Sequence, residues 1–392
     1  MSACTERHTA ARAAALAGEA RHSMRRPRYG LVAILAGVAL VGCSAQSPAP
    51  SPEVAISCAA GSIKAQGSSA QTNAVNAWIR DYQVSCPGAT LEYDSVGSGA
   101  GLTDFIAGTG DFAGSDSPLS AADQPKADAR CKSGPAIHLP MVVGPIALAY
   151  NVAGVGDLRL RPATVAKIFA GSVTAWNDPA IKADNPGAAL PSTKIRPVHR
   201  SDRSGTTDNF TRFLAAAAPA DWTHGHDANW PGFSAPSVGP GAGSSRAPGG
   251  LTEKGSNGVS AAVAQTDGAI GYVEWSYAEF HNLATARIGN GAGEFVPLTD
   301  AAAGRTVAGA KITGTGADLQ LSIDYRGTAA GAYPIVLVTY EVVCTAGAPG
   351  LAKSFLAYTA SPAGQAAATR LGYAALPEEL RQKVATAVAR LR

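Results

Sequence analysis

Apolar and polar positions along the chain alternate between two periods. Residues 62–66 read as a short strand. After Gly67-Ser68-Ser69, the apolar residues Val75, Trp78, Ile79 and Tyr82 fall at i, i+3, i+4 and i+7, which predicts a helix. Residues 90–95 predict a second strand. It runs into Gly97-Ser98-Gly99-Ala100-Gly101 and a short helix with Leu102, Phe105 and Ile106 on one face. A third strand, 111–114, ends at Ser115-Asp116-Ser117-Pro118. Residues 137–150 form a long apolar stretch, broken by Gly144-Pro145, with the length to cross between two domains.

A second region repeats the alternation. Pro162 opens a helix with Val165, Ile168 and Phe169. A strand over 194–199 leads into Arg200-Ser201-Asp202-Arg203-Ser204-Gly205-Thr206 and another helix through Phe213. Residues 231–250, rich in Gly, Ser and Pro, read as a surface loop, and 269–273 as a further strand. The β-branched and aromatic run 333–343 predicts a return crossing, and the last helix carries Leu380, Val384, Val388 and Leu391 on one face. No internal repeat appears. Strand–helix alternation with two crossings predicts an α/β protein of two lobes around a hinged cleft. The lobes divide as 58–143 for the first part of lobe 1, 144–285 for lobe 2, and 286–392 for the return connection and the rest of lobe 1.

Composition agrees with that size. The chain has 392 residues, 46% of them hydrophobic, enough for two cores. A net charge of +3, spread evenly and without an interleaved basic–aromatic patch, excludes nucleic acid as a partner. Residues 1–42 read as a leader. Met24-Arg25-Arg26-Pro27-Arg28 is a basic segment, better placed than Met1 as a start, and an apolar run from Leu31 to Val41 precedes Gly42-Cys43. Leu40-Val41-Gly42-Cys43 has the form of a lipobox, so Cys43 is expected to carry lipid and hold the protein on the outer face of the cell membrane. The Ser/Pro/Ala-rich residues after it make 43–57 a flexible tether. Cys58, Cys86, Cys131 and Cys344 then remain in an exported chain, which favours disulfides in one of three connectivities. Cys58 and Cys86 open consecutive strands that parallel pairing places side by side, so they are expected to pair. Subtraction leaves Cys131–Cys344. No C-x-x-C pair points to zinc.

The candidate chemistry lies in four loops: Gly67-Ser68-Ser69, Gly97-Ser98-Gly99, Ser115-Asp116-Ser117 and Ser204-Gly205-Thr206. Each follows a strand and precedes a helix or turn. Helix N-termini offer unsatisfied N–H groups and a positive dipole end, glycine allows close approach, and hydroxyls add donors, so converging loops of this kind cradle an anion. Arg200 adds a guanidinium fork suited to a tetrahedral oxyanion, and Asp202 stands where it can orient that fork. A carboxylate at Asp116 suits only an anion that still carries a proton, as phosphate does and sulfate does not. Two other readings stand beside this one. One is a receptor for another oxyanion; the other is a secreted phosphatase-like enzyme. Against the enzyme, no G-x-S-x-G, P-loop or H-E-x-x-H motif occurs and no His falls in the four loops. His224-Gly225-His226-Asp227 has metal-like density but reads as a solvated loop, so no metal and no cofactor are expected.

These runs resemble the phosphate-binding proteins of high-affinity phosphate ABC transporters, a family with a type II periplasmic-binding-protein fold. The similarity is carried by Gly114-Ser115-Asp116-Ser117-Pro118-Leu119-Ser120, Trp176-Asn177-Asp178-Pro179-Ala180-Ile181 and the Arg200–Thr206 run. Gly268-Ala269-Ile270-Gly271-Tyr272-Val273-Glu274 and Leu371-Gly372-Tyr373-Ala374-Ala375-Leu376-Pro377 extend it, in order, from about Ile63 to the C-terminus. The resemblance implies a monomer that binds inorganic phosphate and passes it to membrane permease subunits. It implies Ser69, Ala70, Ser98, Asp116, Arg200, Ser204, Gly205 and Thr206 as phosphate ligands, with Asp202 as the buttress of Arg200. Where the family usually has Thr followed by Phe in the first loop, this chain has Ser69-Ala70.

Overall fold

The computed structural model describes residues 56–231, 250–326 and 329–392. The leader, Cys43, all but the last two residues of the tether, and the body of the 231–250 loop lie outside the described residues.

Among the described residues nine strands make one sheet: β1 Gly61–Gly67, β2 Ala89–Asp94, β3 Phe112–Ser115, β4 Ala136–Asn151, β5 Arg196–Arg200, β6 Leu251–Glu253, β7 Ala269–Glu274, β8 Ala284–Thr285 and β9 Val336–Cys344. Their order is β2-β1-β3-β9-β4-β7-β5-β6, with β8 also on β4. The helices that position the site are α1 Thr72–Ser85, α2 Ser98–Ala107, α3 Pro162–Phe169, α4 Gly205–Ala217, α5 Gly255–Gln265, α6 Trp275–Phe280 and α7 Glu378–Ala389.

The two crossings organise everything else. β4 is 16 residues long and buried along all but its last residue. Its first part, through Pro145, pairs with β9; from Ile146 onward it pairs with β7. Gly144-Pro145 does not break the strand, contrary to the expectation from sequence. Proline removes a ladder donor, and here it does so where β4 exchanges one partner for the other. One lobe is therefore built on β1, β2, β3 and β9, the other on β5, β6 and β7.

Each lobe has its own apolar filling. α1 turns Val75, Trp78 and Tyr82 inward, leaving Ile79 at the margin, and Tyr82 meets Phe355 edge-on at 5.7 Å. In the other lobe Phe169 of α3, Phe210 of α4, Trp230 and Tyr272 of β7 form an aromatic stack, with Phe210 and Tyr272 at 4.4 Å. Among the described residues two disulfides are present. Cys58–Cys86 ties the entry of β1 to the end of α1, and Cys131–Cys344 joins the approach to β4 to the end of β9.

Candidate anion-binding site

β1 and β3 run parallel and release their C-terminal loops from one lobe, while β5, parallel to β7, runs the opposite way and releases its loop toward them from the other. The loops are knitted together there. Ser68 N donates to Gly114 O at 2.8 Å, and Gly97 N donates to Gly67 O at 2.8 Å. Gly97 lies at φ 95°, and a Cβ there would stand 2.4 Å from Asp202 Oδ2 across the cleft. Gly205 has the same constraint without the unusual φ: a Cβ would stand 2.6 Å from Asp116 Cβ and 2.7 Å from Ser98 Oγ. Any side chain at either position would push the lobes apart.

Asp116 is at the centre and is 3% exposed. Its Oδ1 accepts from Thr339 Oγ1 at 2.8 Å, and its Oδ2 faces Ser98 Oγ at 3.3 Å and Thr206 Oγ1 at 3.4 Å. Burial pushes its carboxyl above the ordinary range, while Ser68, Thr339, Arg200 and Ser98 pull the other way. Asn209 Nδ2 donates to Asp116 O at 2.7 Å, so α4 braces the backbone as well.

Arg200 closes β5 and is 2% exposed. Its Nε donates to Asp202 Oδ1 at 2.7 Å and its Nη2 to Asp202 Oδ2. Burial pushes Asp202 up, but hydrogen bonding and attraction from Arg200, with the Gly255 N–H, outweigh it and hold the carboxyl below its usual range. Tyr272, packed in the aromatic stack, accepts from Arg200 N at 3.1 Å, so that lobe's core sets the height of the guanidinium.

The remaining expected ligands lie in the same cluster with partners of their own. Ser69 Oγ lies 3.1 Å from Ser256 Oγ and accepts from Ser256 N at 3.0 Å. Ala70 N donates to Ser68 Oγ at 3.1 Å. Ser204 caps α4 by accepting from Thr207 N at 3.2 Å. Four residues not singled out from sequence join them. Thr339 and Ser68 contact Asp116, Asn209 holds its backbone, and Ser256 bridges to Ser69. Ser68 sat inside a recognised Gly-Ser-Ser loop; Thr339 was one polar residue in an apolar crossing strand.

The lobes meet across this cluster. Gly99 N donates to Arg203 O at 3.1 Å, and Ser117 Oγ to Asp208 Oδ2 at 2.6 Å. A cavity of about 760 Å³ opens beside it, with Ser98, Asp116, Gly205, Arg203 and Tyr325 in its wall. Hydroxyl donors, one guanidinium and helix N-termini around a single buried carboxylate suit a compact oxyanion that still bears a proton. The histidines lie elsewhere in role. His199 stacks on Trp230 at 4.9 Å, and burial pulls it down to about 4; His226 Nδ1 contacts Asp208 Oδ1 at 2.7 Å. Among the described residues no group of three or more His, Cys, Asp or Glu is placed to hold a metal ion.

Comparison with known proteins gives a consistent picture. Residues 52–363 match the PBP superfamily domain. A phosphate-binding protein of Mycobacterium tuberculosis, PstS 3, is 44% identical over 333 residues, covering 83% of this chain and 85% of that protein. The phosphate-binding protein PstS 2 of the same organism is 43% identical over 334 residues, covering 83% of this chain and 86% of that protein. Among solved structures, the high-affinity periplasmic phosphate-binding protein PfluDING, bound with phosphate, has the same fold. Its TM-score is 0.64 at 21% identity, over 83% of this chain and 93% of that one.

Proposed function

Because the chain belongs to the PBP superfamily and, within it, to the phosphate-binding proteins of phosphate ABC transporters, we propose that its buried cluster is the phosphate site and that it delivers phosphate to an importer. It is an extracytoplasmic binding protein of the two-lobe periplasmic-binding fold and not an enzyme. Among the described residues no helix is long and apolar enough to cross a membrane. The anchor is assigned to lipid on Cys43, with 43–57 as the tether to a monomeric two-lobed body divided near 143/144 and 285/286.

The observation that carries the site assignment is the environment of Asp116. A carboxylate held by Thr339, Ser98 and Thr206 at 3% exposure accepts a proton-bearing ligand oxygen and repels a fully deprotonated one. Arg200, clamped by Asp202, supplies the opposing charge. Ser98, Ser204 and Thr206 supply hydroxyls, and Ala70, Gly205 and Ser69 line the loop ends. Closure excludes water and strengthens each of these contacts.

Titration of phosphate-stripped protein with phosphate, sulfate and arsenate tests this, alongside incubation with a chromogenic phosphomonoester. Tight binding of phosphate, weak binding of sulfate and no turnover are expected. Equal affinity for sulfate, or hydrolysis of the ester, would overturn it.

A further inference from the structure

The crossing strand β9 carries a second acidic side chain that phosphate binding, as described, does not use. Thr339 and Glu341 are two residues apart and share a face of β9. Thr339 bonds Asp116, while Glu341 stands in register with Gly114, two residues before Asp116, and with Leu139 of β4. Glu341 is 2% exposed. The groups that face it are the Asp116 carboxyl, the Gln71 amide at the start of α1 and the Tyr93 phenol of β2.

Hydrogen-bond accounting in this cluster is incomplete by one proton. The Tyr93 hydroxyl donates to Ser68 O at 2.9 Å, so Gln71 Nε2, 3.0 Å away, must donate to the Tyr93 oxygen. That orientation leaves Gln71 Oε1 buried without a donor, and Glu341 Oε2 is likewise buried without a partner. Ionised Glu341 is acceptor-only and adds to the shortage; as an acid it becomes a donor. Burial, with the charge of Asp116, outweighs a hydrogen bond from Gln71 that favours the ionised form and pushes its carboxyl up to about 8. The pocket already sets Asp116 and Asp202 against Arg200, and an incoming anion makes a third ionised carboxylate still less favourable.

We propose that Glu341 sets the charge of the pocket: where it is ionised in the ligand-free protein it takes up a proton from solvent when the anion binds, and it then stands behind Asp116 as a neutral carboxylic acid. The proton leaves the buffer for a Glu341 carboxylate oxygen, and no other bond changes. The inference rests on reading the cluster as a phosphate site.

The test is calorimetry at about pH 8, where about half of the ligand-free molecules have Glu341 ionised. Phosphate is titrated into parent and Glu341→Gln proteins in two buffers of different ionisation enthalpy. The parent is expected to take up about half a proton more per phosphate than the variant. Equal uptake in two proteins that both bind phosphate would overturn this role and leave the phosphate reading standing. Failure of the stripped parent to bind phosphate would overturn both. Infrared difference spectra keep the question open to refutation if Glu341→Gln does not fold. They are taken in a Glu274→Gln background, so that a second carboxyl that burial pushes up to about 8 is silent. Phosphate should raise the carbonyl band of a protonated carboxylic acid, and no change in that band would overturn the proposal.

Discussion

Replacing Asp116 by Asn probes the pocket's selectivity at a single oxygen. Oδ1 is bound to the Thr339 hydroxyl at 2.8 Å, and Oδ2 is the oxygen turned to Ser98 and Thr206. Because Thr339 donates, the amide oxygen of Asn keeps its place against Thr339 and Nδ2 occupies the position of Oδ2. An acceptor facing the anion becomes a donor. Phosphate loses the partner of its own proton; sulfate gains a donor and escapes a like charge. Two unit charges about 4 Å apart repel by about 4 kcal/mol at an effective dielectric of about 20, a term that Arg200 offsets in part. A buried polar group left unpaired costs about 1–3 kcal/mol besides, which alone is roughly fivefold to a hundredfold in affinity. The phosphate-over-sulfate preference is therefore expected to shrink by at least about tenfold, mostly through tighter sulfate binding. Calorimetric titration of both anions into both stripped proteins measures it. A variant that binds phosphate and still rejects sulfate as strongly as the parent would refute the role given to Asp116.

Further outcomes follow from the same geometry. Arg200→Ala is expected to abolish measurable phosphate binding, while Asp202→Asn weakens it less, since charged hydrogen bonds are worth about 1.5–3 kcal/mol each and Asp202 only orients the fork; parental affinity in Arg200→Ala would mean the site lies elsewhere. Cys43→Ala should release the protein from membranes or leave its precursor unprocessed, which fractionation and mass spectrometry of the N-terminus can read. Phosphate should lower the radius of gyration of stripped protein in small-angle scattering as the lobes close; an unchanged radius counts against a hinge. Burial pushes Glu274 up to about 8 as well. The folded state therefore holds its proton between about pH 4.5 and 8, where the unfolded chain does not, and stability falls as pH rises across that window. Melting temperatures at about pH 6 and about pH 9 should drop less in Glu274→Gln than in the parent, and an equal drop would reject the assignment. His199, held down to about 4, acts oppositely, favouring the fold above about 6.5 and opposing it as pH falls toward 4.

Much of this architecture was legible because it is local. The 3.6-residue spacing of Val75, Trp78 and Tyr82 and the apolar runs of both crossings report burial directly, and the structure buries them. Strand limits shifted by a residue or more where a polar side chain ends a ladder. β5 continues to Arg200 because its partner β6 bonds there, and β7 to Glu274 because that carboxylate then caps α6. Gly144-Pro145 misled for a reason outside the local window: a missing donor is harmless only if the neighbouring strand changes at that residue, and both neighbours, at 269–274 and 336–344, lie far downstream in the chain.

The floor of the pocket was illegible for the same reason, in a stronger form. Ser98, Asp116, Ser204 and Thr206 lie in loops whose Gly, Ser and Thr content marks them as helix starts. Thr339 lies 223 residues from Asp116, and only the antiparallel register of β9 with β3 brings them together. A weaker signal was nonetheless present. In Val-Leu-Val-Thr-Tyr-Glu-Val-Val the polar residues Thr339 and Glu341 recur at period two inside a strand buried along its whole length. A strand buried on both faces has no solvent side to which such residues can be assigned. Polar groups in that position must be answered by other polar groups. In this fold the answering groups are the Asp116 carboxylate for Thr339 and the Gln71–Tyr93 pair for Glu341. Period-two polarity within a crossing strand thus points to the face of the sheet on which the anion site is built, before any partner is known.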